Sequence, residues 1–144
     1  MQSVANIWLD ELKQAVGPLK GLAALEKAVD THYQVCCRAP EHFSAFYILW
    51  FESVDPNSEL IKLTNSIHQR RCKDIMQWIR EENSSHLSDS DIEQIAQQFC
   101  VALVGIVHQW LLSPQDLKLI EDLYTGLKTT MAMRLSAENS YVRS

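Results

Sequence analysis

The segment from Cys100 to Val107 constrains the fold most, because it is an unbroken run of eight apolar residues within a longer helical pattern. A stripe at helical spacing runs through it, formed by Ile92, Ile95, Phe99, Leu103, Ile106 and Trp110. Val101, Val104 and Leu111 lie off this stripe, so the helix is apolar on every side. Such a helix must be covered on every side. The apolar run is shorter than the roughly twenty residues of a membrane span, so we expect no membrane partner.

The helix that follows has the same two-sided character. Its main stripe consists of Leu117, Ile120, Tyr124, Leu127, Met131 and Leu135. Leu119, Leu123 and Met133 lie away from that stripe. Because two terminal helices of one domain cannot both be central, the pattern predicts that a second copy of the chain covers them in a two-fold, four-helix interface. The alternative is that both helices form the middle of a monomeric bundle.

We expect the dimer interface to use the large side chains of the two stripes and close approach at two glycines. Gly105 and Gly126 would allow that close approach, although either could equally be an internal packing site. The expected interface residues are Phe99, Leu103, Ile106, Tyr124, Leu127 and Met131.

Proline positions divide the chain into helical segments. Each of the four prolines precedes an amphipathic stretch, and proline is tolerated at the first position of a helix. No stretch alternates between apolar and polar residues as a strand does, so the sequence predicts an all-α, six-helix bundle. The expected helices cover 2–16, 18–38, 40–53, 57–83, 89–112 and 114–136.

Two segments have the pattern of a helix start, Ser88 to Asp91 and Ser113 to Asp116. Residues 1–136 are expected to form one helical domain for effector binding and dimerisation, and 137–144 a frayed tail. The first helix has an apolar stripe from its first turn, including Val4 and Trp8. We therefore expect the chain to be a piece of a longer protein.

Charge and cysteine usage exclude some classes of function. The 144 residues carry a formal net charge of −5, and only His68 to Arg71 form a short basic stretch, so we expect no direct nucleic-acid binding. The four cysteines form no CxxC pair, and no leader peptide is evident. These features indicate a cytoplasmic protein with reduced thiols.

The helix expected over 57–83 places polar side chains in its apolar stripe. Thr64, His68 and Arg71 share a side with isoleucines. Because a buried Arg needs a partner, Arg71 either binds a ligand, pairs with an acid such as Glu26 or Glu52, or extends its charged end to solvent. In the helix expected over 40–53, four aromatic side chains share one face and could line a ligand pocket or fill the core. They are Phe43, Phe46, Tyr47 and Trp50.

Known catalytic motifs are absent from the sequence, including GxSxG, the P-loop, GxGxxG and HExxH. We therefore expect no enzyme activity and no cofactor. His32/Cys36 and His68/Cys72 each have a spacing at which two ligands face one metal ion, and together they could form a Cys₂His₂ site. Chance spacing is the alternative. His108 could point at the same interior as His68 or be a hydrogen-bonded core histidine.

The segment from Phe99 to Pro114, which leads into the last amphipathic helix, resembles the C-terminal regulatory domain of TetR-family transcriptional regulators. So does the segment from Phe46 to Asp55, followed by Pro56 to Leu60. The resemblance covers roughly 4–136 and consists of helix order, helix lengths and the positions of the prolines between helices. The family's N-terminal helix-turn-helix domain is not in this sequence.

The resemblance implies a repressor domain that dimerises through its last two helices and binds a small, often hydrophobic effector inside the first five. Effector binding would shift the first helix, and DNA would be contacted only through the missing domain. The family does not fix the ligand-binding residues. Our candidates, chosen from helix faces, are Trp8, Tyr33, Phe46, Tyr47, Trp50, His68, Arg71, Ile75 and His108. The alternatives are a helical adaptor for a different protein and a small metal- or lipid-binding helical protein.

Overall fold

The computed structural model describes residues 2–38, 59–82 and 86–136, and within these ranges the chain has five helices and no strand. The helices are α1 (Gln2–Val16), α2 (Gly21–Arg38), α3 (Glu59–Glu82), α4 (Asp89–Leu112) and α5 (Leu117–Leu135). The all-α prediction is confirmed. The helix expected over 40–53 and the tail expected over 137–144 lie outside the described residues, so a six-helix count stays a prediction.

The turn between α1 and α2 depends on two glycines with positive φ, Gly17 at 54° and Gly21 at 56°. Gly17 closes α1 by donating its N–H to the Lys13 carbonyl at 3.0 Å. A Cβ atom on residue 21 would clash with the Glu82 carboxylate at the end of α3. The expected start at residue 18 is therefore wrong, because the chain must complete this turn before α2 begins.

Local side-chain caps fix the ends of α4 and the start of α5. Ser88 and Asp91 form the expected capping box, in which the Ser88 hydroxyl accepts from the Asp91 N–H at 3.1 Å. Ser113 instead ends α4, and its N–H donates to the Gln109 carbonyl at 3.0 Å. Asp116 caps α5 by accepting from the Leu119 N–H at 3.1 Å. The expected helix start at 114 is wrong because Pro114 lies in the turn between these two caps.

The core forms where α2 packs against α1, α3 and α5, and where α4 packs against α3 and α5. Its inward stripe on α4 includes Ile92, Ile95, Phe99 and Leu103, each at most 1% exposed. A second, smaller cluster joins α1, α2, α3 and α4 and consists of Leu9, Val35, Cys36, Ile67 and Val107. One side of α4 is therefore covered by its own chain.

The six residues expected in a dimer interface all lie in this interior. Phe99, Leu103, Ile106, Tyr124, Leu127 and Met131 are each no more than 7% exposed. The largest apolar stripes of α4 and α5 pack inward, since that burial stabilises the single chain most. An interface between copies would have to use the parts of these helices that the single chain leaves exposed.

α4 is also the one described helix that is long and apolar enough, by length and composition, to cross a membrane. Its inward residues pack against α3 and α5. The helix therefore contributes to the core of the bundle.

The capping box of α4 gives a stability prediction. Ser88→Ala removes the acceptor for the Asp91 N–H, and we expect the free energy of unfolding to fall by about 1 kcal/mol in urea titrations. Ser90→Ala is the matched control, since this exposed serine lies one residue inside the helix and away from the cap. An equal loss in both variants would contradict the capping role.

Candidate functional site

Polar and thiol side chains from four helices lie inside the bundle in two contacts, and the charge of Arg71 acts on both. We call this group the central polar cluster, and its members are His32 and Cys36 of α2, Arg71 and Cys72 of α3, Cys100 of α4 and Tyr124 of α5. All of them except Arg71 are at most 7% exposed. Buried polar groups need partners, so the contacts within the cluster determine its chemistry.

His32 and Tyr124 form the best-defined contact of the cluster. His32 Nδ1 lies 2.7 Å from the Tyr124 hydroxyl, and the Cys36 thiol lies 3.8 Å from the same nitrogen. Burial, followed by the positive charge of Arg71, lowers the pKa of His32 from 6.5 to about 3. His32 is therefore neutral at physiological pH. Burial also raises the pKa of the Cys36 thiol to about 12, which keeps it protonated and unreactive.

Three aromatic side chains extend this contact toward the surface. The rings of Tyr33 and Trp110 stack at a centroid distance of 5.7 Å, and the Tyr124 ring meets Tyr33 edge-on at 5.5 Å. The Tyr33 hydroxyl donates to the Glu121 carboxylate at 3.2 Å. Tyr33 thus joins α2, α4 and α5 beside the central polar cluster.

Arg71 supplies the charge of the cluster. Its Nε atom is buried and makes no hydrogen bond. Across residues 2–38, 59–82 and 86–136, no ion pair includes Arg71, so Glu26 is not its partner. Glu52 lies outside the described residues. A guanidinium with a buried, unpaired N–H is well suited to bind an anionic group.

Cys72 and Cys100 bring two thiols together between α3 and α4. Their Sγ atoms are 3.0 Å apart, and His68 Nε2 lies 3.5 Å from the Cys72 sulfur. The hydrogen bond between the two thiols, helped by the charges of His68 and Arg71, lowers the pKa of Cys72 against the effect of burial. The same hydrogen bond and burial raise the pKa of Cys100. The pair therefore holds one readily ionised thiol and one protonated thiol.

Along their contact, α4 and α5 line an open groove of about 410 Å³. Its floor consists of Ile106, Leu127 and Met131, three of the residues expected at a dimer interface. Gln98, Ala102, Leu123 and Thr130 line its sides. Arg134 donates a hydrogen bond to Gln98, which links the two helices near one end of the groove.

Two uncharged stripes flank this groove, and we call them together the outer face. They consist of Gln98, Ala102, Gly105, Gln109 and Leu112 on α4, and of Leu119, Leu123, Gly126, Thr130 and Met133 on α5. In both stripes the spacing alternates between four and three residues. Met133 in the α5 stripe is 61% exposed, and Val101 beside the α4 stripe is also 61% exposed. The sequences of α4 and α5 are apolar on two sides, and the outer face is the side that the core does not fully cover.

The expected ligand-binding residues fall into four groups. Tyr33, His68 and Arg71 are in or beside the central polar cluster, whereas Ile75 is 1% exposed and packs in the core. His108 is exposed, so the expectation that it points into the interior with His68 is wrong. The side chain of Trp8, together with Phe46, Tyr47 and Trp50, lies outside the described residues.

Sequence reasoning missed the contact between His32 and Tyr124. It assigned His32 to a metal pair and Tyr124 to a dimer interface. The useful signal was that His32 lies in the apolar stripe of α2, between Ala28 and Val35, where a buried polar group requires a partner.

The two His/Cys pairs do not form the Cys₂His₂ site considered from their spacing. Among the described residues, which include all four ligands, no group of three or more His, Cys, Asp or Glu side chains could hold a metal ion. His32 and Cys36 face Tyr124, whereas Cys72 faces Cys100. The helices carrying the two pairs pack with these side chains in separate contacts.

No protein-family model, curated protein or solved structure matches this chain.

The shifted pKa of His32 predicts a pH-dependent stability. Below about pH 6.5 the unfolded chain binds a proton that folded His32 does not bind, so the free energy of unfolding falls as pH drops toward 3. The loss from this group reaches at most about 1.4 kcal/mol per pH unit. We expect His32→Gln to lose less stability than wild type between about pH 6.5 and pH 5 in urea titrations.

His108→Gln is the control for this comparison, because His108 is exposed. It should keep the wild-type pH dependence. If His32→Gln follows the wild-type curve as well, His32 is not neutral in the folded protein.

Proposed function

We propose that this chain is a homodimeric, ligand-binding domain of a TetR-like transcriptional repressor, which signals to a DNA-binding domain missing from this chain. The outer face carries this proposal. From residue 94 to residue 115 the sequence has no Asp, Glu, Lys or Arg, although this segment includes the exposed side of α4. An uncharged exposed face of this length is typical of an interface.

A second copy of the chain is the occupant that best fits the outer face. Both helices present an uncharged stripe at the spacing used where helices pair with their neighbours in four-helix bundles. Gly105 and Gly126 have open space where a side chain would start, so a second backbone could approach closely there. Because each copy presents the same two stripes, a two-fold arrangement can pair them with each other.

The ligand we propose is a small hydrophobic or aromatic molecule with an anionic group. Arg71 offers its buried N–H and positive charge, and the aromatic side chains of Tyr33 and Trp110 lie beside the same cluster. To act as a signal, the ligand must bind one arrangement of the helices more tightly than another. Arg71 on α3 and His32 on α2 are well placed to couple ligand charge to helix position, since α2 packs against α1.

The dimer is tested at Gly105. Gly105→Glu places a charge on the outer face without a clash inside one chain, because a Cβ there meets nothing within 4 Å. At micromolar concentration we expect wild type near twice 16.5 kDa and the variant near 16.5 kDa in sedimentation or native mass measurements. Ala23→Glu, on the exposed side of α2, should remain a dimer.

A monomeric wild-type chain would overturn the dimer proposal. If that monomer bound a helical segment of a different protein through the outer face, the adaptor alternative would replace it. A dimer that survives Gly105→Glu would place the interface on another surface.

The ligand proposal is tested at Arg71. We expect medium-chain fatty acids or aryl carboxylates to bind, and Arg71→Met to weaken that binding by about 10- to 100-fold in calorimetry. Alcohols of the same carbon skeleton should bind wild type and variant equally. Arg70→Met is the matched control, because Arg70 pairs with Asp10 on the surface. Unchanged carboxylate affinity in Arg71→Met would leave Arg71 with a structural role only.

A further inference from the structure

The thiols of Cys72 and Cys100 differ from the other two cysteines in having each other as partners. Cys36 is buried against His32 and Tyr124, and Cys37 is exposed. Only between Cys72 and Cys100 is a sulfur–sulfur hydrogen bond present, at 3.0 Å, and all four cysteines are among the described residues. A disulfide needs a separation of about 2.05 Å, so the two sulfur atoms must approach by about 1 Å.

We propose that Cys72 and Cys100 are a redox-active dithiol, in which a small hydroperoxide oxidises Cys72 and Cys100 then closes a disulfide between α3 and α4. The proposal does not require the proposed dimer or the proposed ligand, although Arg71 lies near both thiols. It would be a modification site within the core, with hydrogen peroxide as the simplest oxidant.

The surroundings of the two thiols assign them different roles. Cys72 is 4% exposed and Cys100 is 0% exposed, so both thiols are buried and Cys72 is the one nearer to solvent. Cys72 is also the thiol next to His68 Nε2, at 3.5 Å, and its contact with Cys100 lowers its pKa, which favours the reactive thiolate. The raised pKa of Cys100 keeps that thiol protonated until the oxidised Cys72 forms beside it.

The chemistry balances with hydrogen peroxide as the oxidant. The Cys72 thiolate attacks one peroxide oxygen, the O–O bond breaks, and hydroxide leaves as Cys72 becomes a sulfenic acid. The Cys100 sulfur then attacks the Cys72 sulfur, the S–O bond breaks, and the Cys100 proton and the leaving hydroxyl form water. The hydroxide from the first step takes up the proton that the Cys72 thiol released when it ionised, so it also becomes water. The two sulfur atoms lose two electrons in total, and one peroxide is reduced to two waters. A dithiol reductant reverses the disulfide by exchange.

The test treats the full-length chain with hydrogen peroxide, denatures it, alkylates the free thiols and measures its mass. Before alkylation we expect a mass loss of about 2 Da. Two of the four cysteines should then resist alkylation, and digestion should give one peptide pair joined through Cys72 and Cys100. Dithiothreitol should restore all four free thiols. Four free thiols after peroxide, or a linkage through another cysteine, would overturn the proposal.

Variants separate the roles of the two thiols. In Cys100→Ala the sulfenic acid has no partner, so dimedone should label Cys72. In Cys72→Ala neither the disulfide nor a dimedone adduct at Cys100 should form. Cys36→Ala is the matched buried control and Cys37→Ala the exposed one, and both should still form the disulfide. Dimedone labelling that is confined to Cys37 would contradict the assignment of Cys72 as the oxidised thiol. The disulfide-linked peptide from wild type tests the pairing of Cys72 with Cys100 without any substitution.

Discussion

The fold depends on how the surface of α4 is covered. Because this helix has no charged side chain from residue 94 to its end at Leu112, its apolar residues favour burial on more than one side. The stripe that includes Ile95, Phe99 and Leu103 packs against the neighbouring helices, and each such side chain contributes about 1.5–3 kcal/mol when fully buried. α3 and α5 contact the inward side. The groove and outer face are what remains exposed after the chain has built its own core.

The central polar cluster is a second constraint, because it places polar atoms where apolar packing would otherwise be simplest. The hydrogen bond between His32 and Tyr124 offsets part of the cost of removing both groups from water. Keeping His32 neutral avoids a second positive charge near Arg71. Arg71 itself has no such compensation at Nε. The proposed anion binding depends on this same unmatched group.

The sequence predicted those parts of the fold that local chemistry determines. The bounds of α1 and α4 follow from the helical pattern and from the Ser88 capping box, and they match the structure. The starts of α2 and α5 could not be located from proline alone. At α2, the turn brings Gly21 close to the carboxylate of Glu82, which is distant in sequence. At α5, Ser113 before Pro114 caps the end of α4 instead of the start of α5.

The residues of the candidate site were harder to predict than the helices, for a different reason. Periodicity identified Arg71 as a charged group on an apolar stripe, because that follows from one helix alone. It could not join His32 to Tyr124, which lie 92 residues apart, or decide which side of α4 the chain itself covers. Both questions depend on how the helices pack together. The six residues expected between two copies were therefore found to be buried within one chain, and neighbouring stripes of α4 and α5 form the outer face.

The thiol pair and the outer face are connected because both depend on α4. Cys100 points inward to Cys72, whereas Ala102 and Gly105, within the next two turns, belong to the outer face. A hydrogen-bonded helix moves largely as a unit, so an approach of Cys100 to Cys72 by about 1 Å carries the outer stripe with it. Close helix packing is sensitive to displacements of this size, because cores and interfaces have few tolerated arrangements. If the outer face pairs two chains, the oxidation state of the dithiol would therefore change the fit between them.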